Sequence, residues 1–77
     1  MRDSIWVTIR RVANDCVVVS ESFDSDDTGC GMSIGFIDGW ARGIGLTKVD
    51  TGMHGVERYD LVDSDDHAHY VATVTRR

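Results

Sequence analysis

Seventy-seven residues with a 42% hydrophobic share and no proline make one small domain, residues 1–77, and exclude a disordered chain. A net charge of −5 disfavours direct binding to nucleic acid or to an anionic membrane, which both need a basic surface; it suits a basic partner, a metal cation or plain solubility. No apolar run is long enough for a signal peptide or a membrane span, so the expected setting is the cytoplasm, with Cys16 and Cys30 reduced.

In chain order, "SIWVTIRR" (4–11) alternates. Ile5, Val7 and Ile9 point one way and Trp6, Thr8 and Arg10 the other, which is a strand. Ala13–Asp15 is turn chemistry, and "CVVVSESF" (16–23) returns as a second strand, closing a hairpin. "DSDDTGCG" then breaks the pattern.

The segment "GMSIGFIDGWARG" (31–43) decides the fold. Cys30, Ile34, Ile37, Ala41 and Ile44 are spaced 4, 3, 4, 3, the stripe of an amphipathic helix, with Phe36 and Trp40 on one flank. Ser25 or Thr28 suits its start and Gly43 or Gly45 its stop. Gly31, Gly35, Gly39 and Gly43 form a second stripe opposite the isoleucines. Each costs about 1 kcal/mol relative to alanine in an exposed helix, so the expectation is that they admit the close approach of another backbone. A short strand followed by an Asp38-Gly39 turn is the competing reading of this segment.

"KVDTGMHG" (48–55) is Gly-rich and polar and reads as a loop. A second hairpin follows, from Val56–Asp63 to His69–Thr75 across the turn "SDDHA". The order is ββαββ. The fold class is α+β, a single domain with a Gly-rich helix on an antiparallel-rich, four-stranded sheet. A right-handed crossover through the helix makes strands two and three parallel.

That topology bears on the charges. "DSDD" occurs twice, as 24–27 and 63–66, each after the end of a strand. Parallel strands would bring Asp24, Asp26, Asp27, Asp63, Asp65 and Asp66 to one sheet edge. Arg10-Arg11 and Arg76-Arg77 would lie at the other. Strands about 4.8 Å apart can space carboxylates much as a nucleic-acid backbone spaces phosphates. These six aspartates are therefore the candidate partner-binding residues, with Trp40 or Tyr70 as an apolar anchor. Asp and Ser are also ordinary turn residues, which leaves two solvated loops as the plainer alternative.

Other constellations are weaker. Asp24, Asp26, Thr28 and Gly29 match the first, third, fifth and sixth positions of a calcium loop, but its twelfth position is Gly35 rather than Glu. His67 and His69, with Asp66 or His54, offer a transition-metal set without diagnostic spacing. The glycines of 29–35 do not complete a phosphate-loop pattern. Cys30 could act as a nucleophile with a histidine, but its place on the apolar stripe favours burial. Trp6, Trp40, Tyr59 and Tyr70 could stack on bases, yet the acidity favours packing. No enzyme, cofactor or metal is expected.

The run "MRDSIWVTIRRVANDCVVVSESFDSDD" followed by a lone Gly-rich helix, in a small acidic chain, resembles anti-CRISPR proteins of phages and mobile elements, among them inhibitors of type I-C systems. The resemblance implies a non-enzymatic inhibitor in a host bacterial cytoplasm, binding a CRISPR surveillance complex by mimicking DNA. A small calcium- or transition-metal-binding module and an accessory subunit that self-associates through 31–43 are the alternatives. A monomer is the expected state.

Overall fold

The computed structural model describes residues 4–25, 27–51 and 57–76, the side chains of Asp27 and Cys30 aside. One helix lies on one five-stranded sheet. The elements are β1 (Ser4–Arg11), β2 (Val17–Asp24), α1 (Asp27–Gly43), β3 (Thr47–Asp50), β4 (Glu57–Val62) and β5 (Ala68–Arg76). The sheet order is β2-β1-β5-β4-β3, and every neighbouring pair is antiparallel. The fold is α+β as the sequence predicts, but with five strands in the order ββαβββ rather than four in the order ββαββ.

The alternation of β1 does what its pattern requires. Ile5, Val7 and Ile9 are buried on the helix side, beside Tyr59 and Leu61 of β4 and Ala72 and Val74 of β5. Ile37 and Ala41 of α1 close the core from above. Each large aliphatic side chain buried this way contributes about 1.5–3 kcal/mol relative to exposure.

The extra strand is β3. Its Thr47–Asp50 pairs with Val62–Tyr59 of β4 on the outer edge of the sheet, so the predicted loop at 48–55 is a strand as far as Asp50. Residues 52–56 lie outside the described residues. The expected parallel pair is not β2 and the strand at 56–63: the antiparallel pairings make β2 run the same way as β3, the strand directly after the helix. These two parallel strands are the two edges. The strand that carries the second "DSDD" is β4, one hairpin later, and it runs in the reverse direction.

The helix is rotated from its expected face. Ile37 and Ala41 are buried as predicted, but Ile34 is 38% and Ile44 48% exposed. The buried face is shifted toward Ser33, Phe36 and Trp40. The aromatics explain the shift. Phe36 meets Phe23 of β2 at 5.8 Å between ring centroids, and Trp40 meets Tyr70 of β5 edge-on at 5.0 Å. Aromatic side chains bury more area than isoleucine, so they win the interface.

The glycine stripe does not admit a neighbour within the chain. A Cβ at Gly31, Gly35, Gly39 or Gly43 would meet nothing within 4 Å. The close approach occurs at Gly29, where a Cβ would collide with the carbonyl oxygen of Asp24. The helix stops as expected at Gly45, whose φ is +78°. Leu46 N–H donates to Ala41 C=O at 2.8 Å and Gly45 N–H to Arg42 C=O at 3.1 Å, the paired bonds of a Schellman motif.

Candidate functional site

The two acidic loops lie at opposite ends of the sheet. Asp24, the last residue of β2, is paired with Ser4 at the start of β1. Asp63 follows the end of β4, where Val62 is paired with Ala68, and the neighbouring Tyr70 is paired with Arg11 at the end of β1. The expected single acidic edge therefore does not form, because β2 and β4 run in opposite directions. Nor are the arginines segregated. Arg10 and Arg11 share their end with the 63–66 turn, and Arg76, paired with Ile5, shares its end with Asp24. Asp26 lies outside the described residues. Asp27 opens α1.

The 63–66 turn is built around Asp63. Asp63 Oδ1 accepts the backbone N–H of Asp65 at 2.9 Å and of His67 at 3.0 Å. Asp63 Oδ2 lies 2.7 Å from His69 Nε2. An ionised carboxylate only accepts, so His69 donates. The backbone closes on itself, with Asp63 N–H bonded to His67 C=O and Asp66 N–H to Asp63 C=O. Asp66 takes φ +61°, a conformation that Asp tolerates better than most residues. The His69 hydrogen bond, followed by the His67 N–H, holds the Asp63 carboxyl down at about 2. Asp63 is thus the ionised hub of the turn, and Asp65 and Asp66 are exposed on its outside.

Other carboxylates stand at the Asp24 end of the sheet. Asp50 closes β3 opposite Tyr59, and Glu57 opens β4. The Tyr59 hydroxyl is pushed up first by burial, then by Glu57 and Asp50. Glu57 and Asp50 lie outside any repeated motif, so the sequence pattern does not single them out. The strand β3 would have pointed to Asp50.

The remaining candidates separate cleanly. Trp40 and Tyr70 are half-buried and pack on each other against the core, so neither is an exposed anchor. Tyr59 is a core residue. The calcium-loop reading fails, because α1 begins at Asp27 and places Thr28 to Gly35 in helix, where they cannot wrap a cation. No group of three metal-ligating side chains occurs among the described residues. His69 is engaged with Asp63, and His54 lies outside the described residues. Cys16 is an exposed free thiol in the β1–β2 turn, one residue before the strand it was expected to begin. No helix among the described residues is long and apolar enough to cross a membrane.

Comparison of the chain with protein-family models, with curated proteins and with solved structures finds no match in any of the three.

Proposed function

We propose that this protein is a non-enzymatic inhibitor that binds a basic, nucleic-acid-binding complex, with exposed carboxylates standing in for backbone phosphates. A CRISPR surveillance complex is the partner that the resemblance implies. The 63–66 turn carries this reading. Its shape is held by Asp63, and Asp65 and Asp66 are exposed on it. A rigid anionic turn docks into a basic groove at a smaller entropic cost than a mobile one. The net charge of −5 adds long-range attraction toward such a groove.

The opposed loops change the design of the test. Each end contacts a groove separately, so each must be neutralised separately. Target-DNA binding by a purified type I surveillance complex is measured with wild type, with Asp63, Asp65 and Asp66 all changed to Asn, and with Asp24, Asp26 and Asp27 all changed to Asn. The expected result is at least a tenfold loss of inhibition for the first triple variant, about 1.4 kcal/mol, and a smaller loss for the second. Inhibition equal to wild type in both would overturn charge mimicry.

A further inference from the structure

We propose that the open face of the sheet carries a binding site for a phosphate-type oxyanion, held between Arg10 of β1 and Arg58 of β4. The face turned away from α1 presents Trp6, Thr8 and Arg10 on β1, Val71, Thr73 and Thr75 on β5, and Arg58 and Asp60 on β4. This follows from the alternation of each strand about its buried positions. Pairing fixes how they sit. Arg10 is opposite Val71, and Arg58 is opposite Thr73, which is itself opposite Thr8. The two arginines therefore stand on either side of β5, offset by two residues. A cavity of about 240 Å³ lies between them, lined by Arg10, Arg11, Asp15, Arg58, Val71 and Thr73.

Two of the eight basic residues of an acidic chain, Arg10 and Arg58, thus meet at one cavity, while the guanidinium of Arg11, which also lines it, lies over the Tyr70 ring at 5.9 Å. Their local carboxylates do not saturate them. Arg10 Nη1 lies 3.9 Å from Asp15 Oδ1 and Arg58 Nε 3.8 Å from Asp60 Oδ1, both beyond hydrogen-bond length. Among the described residues, Arg10 donates a 3.4 Å hydrogen bond to the backbone carbonyl of Asp15. Both arginine side chains are about half exposed, at 48% and 52%. Each fork offers five N–H donors in a plane. A tetrahedral dianion accepts from two forks on opposite sides, whereas a carboxylate presents a single edge to one of them, so phosphate is the better fit. Asp15 and Asp60 are the competitors, and Asp60, 27% exposed, stays beside Arg58, so the anion is held chiefly on the Arg10 side of Arg58. Asp15 is free to leave. It is 86% exposed on the β1–β2 turn and turns outward when the anion enters.

The test is a titration of the isotopically labelled full chain with inorganic phosphate at constant ionic strength, following the Arg Nε–H signals and the amides of 71 and 73. The expected result is a saturable shift confined to these groups, absent with chloride. Arg10→Gln and Arg58→Gln each weaken binding about tenfold, and Asp15→Asn strengthens it. A parallel titration with adenosine monophosphate separates the sources. Tighter binding with a change in Trp6 fluorescence assigns a nucleotide, and equal binding assigns the phosphate group alone; both support the site. Absence of a saturable shift in wild type, or binding unchanged in both arginine variants, overturns it.

Discussion

Three glycines on the same helix answer to two opposite rules. At Gly29 an added methyl group meets the Asp24 carbonyl, which is backbone and has no rotamer to yield, so Gly29→Ala is expected to cost about 1–3 kcal/mol despite the better helix propensity of alanine. At Gly35 and Gly39 the same methyl group enters open space, so each change to Ala is expected to add about 0.5–1 kcal/mol of stability. Urea unfolding of the three variants checks both signs; a stabilised Gly29→Ala would mean that the α1 start does not press on β2. Asp63 gives a second residue-scale prediction. Its folded-state carboxyl sits at about 2 against an ordinary 3.8. The unfolded chain takes up this proton first as pH falls. The contribution of Asp63 is therefore complete above its ordinary value and is lost between 3.8 and about 2. Asp63→Asn is expected to remove that part of the acid-induced fall in Tm. Carboxyl carbon shifts should place the titration midpoint directly, and a midpoint at the ordinary value would mean that the His69 contact does not form in solution.

The elements were legible to the degree that their signal was long. β1 is legible from Ile5, Val7 and Ile9 because three alternations bury a face, and the start of β2 slips by one residue because Cys16 belongs to the turn. α1 is legible from Ile37 and Ala41, but its rotation is not. Rotation is decided by Phe23 and Tyr70, which come from other strands, and no pattern within the helix reports on them. β3 is illegible for a different reason. Four residues on an edge, paired on one side only, show too few alternations to outweigh the glycines that follow. The helix stop at Gly45 is legible because a left-handed residue there demands glycine. Gly45→Ala is accordingly expected to cost about 1 kcal/mol and to lower Tm with no change in the packing of Trp40. A neutral result would show that the Schellman bonds of Leu46 and Gly45 add nothing to the fold.

At the scale of the whole molecule, the missed strand reverses the electrostatics. With four strands, six aspartates share an edge; with five, β4 is inverted and the acidic loops part. Eight-residue strands at about 3.4 Å per residue hold them roughly 25 Å apart, while charges at physiological salt are screened over about 8 Å. Neither loop feels the other, so under the proposed docking the two would act independently. Independence has a measurable form. The effects of the two Asp→Asn triple variants on the association rate with a purified surveillance complex should add, so that the sixfold variant loses the sum of the two changes in log rate. Each triple variant should also flatten the dependence of that rate on salt by its own share. A sixfold variant no slower than the 63–66 variant would mean that the 24–27 loop never meets the partner, and the docking end would be the one that Asp63 shapes. Losses larger than the sum would mean that both loops enter one groove, which would have to reach from one end of the sheet to the other.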